Sequence, residues 1–271
     1  MFNFAAKFIN KENTMYNFDA VKVKNDLIQW IKDWFETNGK GCNAVIGLSG
    51  GKDSLITLVL CVEALGKDRV VAVAMPDGEQ SENGAREIAE FYGVRYMVVN
   101  IGETVKAVKN SILSTNEFTE ALSVQSIQNI PPRVRMTTLY AVSQSLNGRV
   151  SNHCNFSENF IGYSTIFGDS CGDFAPLANI TVTELYAIAD ALGIPKAFIK
   201  VPDDGLPHSK PDEEKFGFTY KELDLYIREG IEPQGYCHDN PNEELKIDKI
   251  KRMHVQNLFK LNPIASFPNE L

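Results

Sequence analysis

The run Gly47-Leu48-Ser49-Gly50-Gly51-Lys52-Asp53-Ser54 carries the clearest chemistry in the chain. It follows a short apolar stretch, 44–48, that reads as a buried strand. It precedes residues 54–65, which have helical length and are apolar on most sides. A glycine-rich turn between strand and helix leaves backbone N–H groups unpaired at a helix N-terminus, a ready site for phosphate. Gly50 and Gly51 let the backbone approach an oxygen, and Ser49 and Ser54 add hydroxyls. The run is not a Walker A loop, which needs glycine where Ile46 stands and Ser or Thr where Asp53 stands. A Rossmann GxGxxG is also absent. Asp53 is the informative oddity, because a carboxylate beside phosphate is repulsive unless a divalent cation bridges them. Mg2+ does so with one or two carboxylates and phosphate oxygens. The plainer alternative is an acid that favours the helix N-terminus through its dipole. Within Ser-Gly-Gly-Lys-Asp-Ser after a strand, the metal–polyphosphate cradle is the stronger reading.

Such a loop needs a scaffold, and the pattern around it supplies one. Residues 20–37 read as an amphipathic helix, with Val21, Leu27, Ile28, Ile31 and Trp34 mostly on one stripe. Strands are expected at 44–48, 70–75 and 94–99, and helices at 54–65 and 82–92 between them. This alternation predicts an α/β fold, doubly wound, with a mostly parallel sheet and helices on both faces. Helical segments follow at 102–114 and 119–126. Pro131 and Pro132 then suit the first turn of a helix running from about 133 to 146. Residues 149–154 form a weaker strand candidate. Thr181-Val-Thr-Glu184 is a capping box before Leu185, Ile188, Ala189 and Leu192. Residues 202–217 read as a long connection, and helical patterns return at 220–228 and 243–259. The expected organisation is an N-terminal extension, 1–19, and a single domain, 20–271.

Composition narrows the classes. Of 271 residues, 44% are hydrophobic and 23% charged, the balance of a globular chain rather than a disordered one. Lys and Arg number 27 against 35 Asp and Glu, a net −8, which disfavours nucleic acid and anionic membrane as partners. The longest apolar run, 55–62, is far short of the roughly 20 residues that span a bilayer, and the first ten residues lack a secretory pattern. The expected location is the cytoplasm. The five cysteines, Cys42, Cys61, Cys154, Cys171 and Cys237, contain no CxxC and read as isolated reduced thiols. A metal site built from Cys154, Cys171 and His153 is the minor alternative.

Ser-Gly-Gly-x-Asp-Ser after the first strand resembles the PP-loop ATP pyrophosphatases, which cleave ATP between its α- and β-phosphates. Four downstream segments narrow the resemblance. They are Gln128-Asn-Ile-Pro-Pro-Arg-Val-Arg-Met136, Asn155-Phe-Ser-Glu158, Gly162-Tyr-Ser-Thr-Ile-Phe-Gly-Asp169 with Asp173 and Pro176, and Asp212-Glu213 through Gly217 and Tyr220. In order and spacing they look like the NAD synthetase family over about residues 20–265. The resemblance implies an adenine-nucleotide alpha-hydrolase-like fold and a homodimer. It also implies synthesis of NAD from deamido-NAD, ATP and a nitrogen source. It assigns Gly47–Ser54 to the ATP phosphates, Asp53 and Glu158 to Mg2+, and Arg133, Asp173 and Lys260 to deamido-NAD. Without it, Glu158 reads as a surface acid, Arg133 as an exposed helix residue and Lys260 as a solvated lysine. Likewise His153 and Cys154 would be core filler, and Asp212–Glu214 a solvated loop or a lid closing over nucleotide.

The better-known bacterial members carry Thr at His153, Lys at Ile166, Lys at Val182 and Thr at Asp203. The loss of that charge puts the phosphate ligands of this chain in question, and Lys52 offers partial compensation. The implied reaction adenylates the nicotinate carboxylate with release of pyrophosphate, after which ammonia displaces AMP. Positioning and electrostatics carry it, with no nucleophilic triad apparent. Glutamine-using members carry an added amidase domain, and the residues before the loop are too few for one, so ammonia is the expected donor. Two other functions compete. A tRNA-modifying PP-loop ligase would want a basic surface. A non-catalytic adenine-nucleotide sensor would be consistent with the missing lysines, but not with an intact Asp53 and Glu158 pair.

Overall fold

Val70–Ala74 holds only valine and alanine, and all five of its residues are buried. A strand covered on both sides belongs in the middle of a parallel sheet. The computed structural model, which describes residues 16–115, 119–199, 210–262 and 264, places it there. Strands β1 (Asn43–Gly47), β2 (Val70–Ala74), β3 (Arg95–Val98) and β4 (Gly148–Val150) form one sheet of order β3-β2-β1-β4. Every pairing is parallel, with Val45 opposite Val71 on one side and Val150 on the other.

Helices cover both faces. Helix α1 (Ala20–Asn38) starts where Asp19 accepts a hydrogen bond from the Lys22 N–H at 2.9 Å, and it buries Ile31 and Phe35. Helix α2 (Lys52–Leu65) is buried along most of its length, and α3 (Asn83–Tyr92) follows β2. With α7 (Val182–Ala191) they pack on the strand face that shows Ala44, Ile46, Val70 and Ala72. The alternate residues Val45, Val71 and Val73 meet α4 (Gly102–Leu113) and α5 (Val124–Ser145) through Val105, Ile130 and Leu139. The doubly wound expectation therefore holds. A smaller core joins α6 (Phe156–Ile161), α8 (Asp212–Phe216), α9 (Tyr220–Glu229) and α10 (Lys246–Leu261) around Ile161, Phe216, Leu223 and Ile250.

The prolines are a correction. Pro131 and Pro132 lie inside α5 rather than in the first turn of a new helix, and residues 119–123 are not helical. The start of α5 is set upstream by Ser123, whose hydroxyl accepts from the Ser126 N–H at 3.1 Å. The helix runs on through the two missing donors because Ile130 and Pro131 are buried, Ile130 against the sheet. The strand expected over 149–154 ends at Val150, with one further bridge from Ser151 to Phe174. Residues 1–15, Asp203 and the 202–209 part of the expected long connection lie outside the described residues. Its end forms α8. Among the described residues no helix is long and apolar enough to cross a membrane.

Candidate active site

The chain winds from β1 to β2 to β3 in one direction, then returns to place β4 on the other side of β1. In open α/β sheets such a reversal opens a crevice beyond the carboxyl ends of the two strands. The glycine-rich run leaves the end of β1, and residues 151–158 leave the end of β4, so both segments flank it.

Gly50 has φ +81°, and a Cβ there would stand 3.3 Å from the Ala85 N, so this position needs glycine for both backbone and space. Gly51 differs. It caps α2 in an extended conformation open to any residue, and its N–H bonds to Ser49 Oγ at 3.2 Å. Ser54 Oγ returns to the Gly51 carbonyl at 3.1 Å and meets Ser49 Oγ at 3.2 Å. These serines brace the turn from within.

Lys52 and Asp53 occupy the first turn of α2. Lys52 is only 3% exposed, and its Nζ donates to Asp53 Oδ2 at 2.8 Å. It also lies over the Tyr220 ring, 5.9 Å from the centroid. A cation at a helix N-terminus opposes the dipole, and burial works further against its charge. The neighbouring carboxylates of Asp53 and Glu158 outweigh the burial, so the ammonium holds its proton more firmly than an ordinary lysine. Asp53 Oδ1 accepts from Asn155 Nδ2 at 3.3 Å, a contact that spans 102 residues of sequence.

Asn155 is fully buried and caps α6 in a capping box with Glu158. Its side chain accepts from the Glu158 N–H at 3.0 Å, and Glu158 Oε2 takes the Asn155 N–H at 3.4 Å. Burial first, and then the charge of Asp53, push the Glu158 carboxyl up to about 8, with Lys52 pulling the other way. A buried carboxyl beside a second acid is a donor set suited to a hard divalent cation.

Asp212, part of the acidic run, is a buried residue rather than a solvated one. Tyr163 and Tyr220 donate to it at 3.1 and 3.2 Å, and burial raises its carboxyl. His153 is pushed down to about 4 by burial, against the pull of Asp53, and its Nε2 pairs with Ser151 Oγ at 2.6 Å. It is therefore a neutral imidazole near Asp53. All five cysteines are free, and among the described residues no group of three His, Cys, Asp or Glu side chains is placed to hold a metal. Cys154 spends its thiol on the Asp169 carbonyl instead.

Arg133 and Lys260 converge on one segment. Arg133 Nε donates to the Ile166 carbonyl at 3.3 Å, and Lys260 Nζ donates to the carbonyls of Gly162 and Ser164 at 2.8 and 3.0 Å. Asp173 stands nearer the sheet, where its Oδ2 takes the Val150 N–H at 2.7 Å and its Oδ1 takes the Tyr140 hydroxyl at 3.3 Å. Tyr140 lies two turns along α5 from Arg133, on the same face. Val182 is 1% exposed in the α6–α9 core, so this departure from the familiar pattern is a packing position.

Asn155, Asp212 and Tyr220 lie in segments that carry the family resemblance, but the sequence alone gives none of them an individual role in the site. Asn155-Phe-Ser-Glu158 carried a readable signal, because it is the same capping pattern as Thr181–Glu184.

A glycine-rich loop and two acids joined through Asn155 at the switch point of a parallel sheet define an α/β protein of the adenine-nucleotide alpha-hydrolase-like fold. The chain matches the NAD synthase family over residues 23–264 and belongs to that family. It is 35% identical over 246 residues to the NH(3)-dependent NAD(+) synthetase of Pyrococcus furiosus, across 90% of each chain. Two solved structures share the fold across 93% of this chain and all of theirs. The NMN synthetase from Francisella tularensis superposes with a TM-score of 0.80 at 27% identity. The NH3-dependent NAD synthetase from Campylobacter jejuni does so with 0.71 at 25%.

Proposed function

We propose that the chain is an ammonia-dependent NAD synthetase, an ATP-using carbon–nitrogen ligase whose catalytic unit is the single domain 20–271. The observation that carries this reading is Asn155, which donates to Asp53 at the glycine-rich turn and shares a capping box with Glu158. Its similarity to a relative named for ammonia, over nine-tenths of both chains, supports the nitrogen source.

In this reading the N–H groups opening α2 receive the ATP phosphates, with Ser49 and Ser54 keeping the turn in shape. Asp53 and Glu158 would hold Mg2+, which would supply positive charge to offset that of the polyphosphate. Arg133 and Lys260 bind deamido-NAD from the 162–166 side, and Asp173 does so beside β4. A nicotinate carboxylate oxygen attacks the α-phosphorus, the α–β bridging bond breaks, and pyrophosphate leaves. Ammonia then adds to the acyl carbon, and AMP leaves with the bond to oxygen. Neutral His153 adds no positive charge near Asp53, so the cationic work at the loop falls to Lys52. A homodimer goes with this reading, and the exposed pair Val124 and Ile127, three apart on α5, is a candidate part of its contact.

The test incubates the protein with ATP, Mg2+, deamido-NAD and ammonium and follows pyrophosphate and NAD together. Equal appearance of both, abolished by Asp53→Ala, supports the reading. ATP binding without product would point to a nucleotide sensor. The higher TM-score of the NMN synthetase favours a second reading, in which the acceptor is the nicotinate mononucleotide. Comparing kcat/KM for the mononucleotide and deamido-NAD decides between them.

A further inference from the structure

Lys52 is placed where a divalent cation would be expected to bind. Its ammonium sits 2.8 Å from Asp53 Oδ2, and the other oxygen of Asp53 is covered by the Asn155 amide at 3.3 Å. Both oxygens of the carboxylate therefore already face a protein donor. Glu158 acts on the same ammonium from the α6 side. A single positive charge on the lysine and a double one on a metal cannot share Asp53 at contact distance without strong mutual repulsion. Lysine is suited to leaving, because its stem is long and flexible and its head is a compact point charge. It also occupies the first position of α2, beside the N–H groups that receive phosphate.

We propose that Lys52 and a divalent cation compete for Asp53, and that Lys52 moves from the carboxylate to the polyphosphate when the cation takes its place. The proposal rests on the nucleotide-binding reading above and adds a sign to it. Lys52 opposes the cation when nucleotide is missing and favours the cation–nucleotide pair when both are present. A lysine that only binds phosphate would show the second effect without the first. A lysine that only braces the fold would show neither.

The experiment measures Mn2+ binding to the full chain by the loss of the free Mn2+ electron paramagnetic resonance signal, without nucleotide and then with ATP. Lys52→Met should tighten Mn2+ binding without nucleotide by about tenfold, the scale of coupling between charges in contact. It should weaken ATP binding at saturating Mn2+ by a similar factor. In the double variant Lys52→Met/Asp53→Asn the gain in Mn2+ affinity should disappear. Lys52→Gln, which keeps length and polarity, repeats the measurement if the methionine variant fails to fold. Thermal melts add an independent reading, since Mn2+ should stabilise Lys52→Met more than the parent chain. Unchanged or weaker Mn2+ binding in the Lys52 variants, or no Mn2+ response in any of them, would overturn the competition. NAD formation is followed separately. Its absence from the parent chain alongside intact competition would sink the synthetase reading and leave the exchange standing.

Discussion

Replacing Asp224 with alanine removes the brace that holds the α6 end of the site against the sheet. Asp224 projects from α9 and is 3% exposed. Its Oδ1 accepts from Ser157 Oγ at 2.5 Å, and its Oδ2 accepts from the Thr183 N–H at 2.8 Å, at the start of α7. Ser157 in turn takes the Val182 N–H at 2.9 Å. One carboxylate thus ties three helices together next to Glu158. Hydrogen bonds to a charged acceptor are worth about 1.5–3 kcal/mol each. Two of them are lost, one from the Ser157 hydroxyl and one from the Thr183 N–H. Burial, which raises the Asp224 carboxyl, is a cost that the alanine variant no longer carries. The net loss should be about 3 kcal/mol, or about 6–12 °C in Tm for a chain of this size. Ser157→Ala alone should cost about 2 kcal/mol, because it strands the Val182 N–H. The double variant should fall short of the sum by about 1 kcal/mol, since the two residues share a bond. Urea unfolding at neutral pH measures all three. A loss below about 0.5 kcal/mol for Asp224→Ala, or strict additivity, would refute the reasoning.

Other perturbations test different parts of the frame. Arg228 grips the nearly buried Glu184 with two hydrogen bonds, at 2.8 and 2.7 Å, between the rings of Tyr16 and Phe156. Arg228→Ala should cost about 3 kcal/mol in urea unfolding by leaving that carboxylate without its cation. Burial alone would raise Glu184, but the hydrogen bonds from Arg228 and Tyr16 leave it lowered. The pairing therefore stabilises above the carboxyl's unfolded value and is lost as pH falls through the folded one, so the deficit should shrink on acidification. His238 faces two acceptors, the Glu243 carboxylate at 2.6 Å and the Glu214 carbonyl at 2.7 Å, and the hydrogen bond to Glu243 is the larger cause of its raised pKa. Only the imidazolium donates to both. The stability difference between the parent and His238→Gln should be present on the acid side and fade as pH rises through the folded pKa, as melts across pH will show. Gly162 has φ +67°, and an added Cβ would fall 2.0 Å from Asn257 Cβ on α10. Gly162→Ala should cost about 3 kcal/mol by calorimetry and disturb the carbonyl that Lys260 holds.

The parts that were legible in the sequence are those fixed by neighbours in the chain. The strand–turn–helix around Gly47–Ser54 could be read because its glycines, serines and apolar flanks all act within a few residues. The cap at Thr181 was read the same way, and the Glu184 N–H does bond to the Thr181 hydroxyl. Helix α2 starts earlier than its apolar pattern suggests, because Lys52 and Asp53 look like loop residues until their partners are known. The prolines in α5 misled because local rules place proline at a helix start. Here burial of Ile130 and Pro131 prevails over the two lost hydrogen bonds. Asp212 read as part of a charge run, and nothing near it in sequence announces that Tyr163 and Tyr220 enclose it.

The pairing of Asp53 with Glu158 belongs to a different order of information. No local pattern links them, and a run of alternating strands and helices gives no order for the strands in the sheet. What joins them is the return of the chain across β1. Had β4 added beyond β3, the loop after it would open far from α2, and Asn155 would not reach Asp53. Because β4 lies against β1, the two loops leave adjacent strands at the same end of the sheet. One begins a buried helix with Lys52 and Asp53, and the other begins a short capped helix with Asn155 and Glu158. The sheet order therefore makes the acidic pair. There Lys52, itself 3% exposed, places its ammonium 2.8 Å from Asp53 Oδ2.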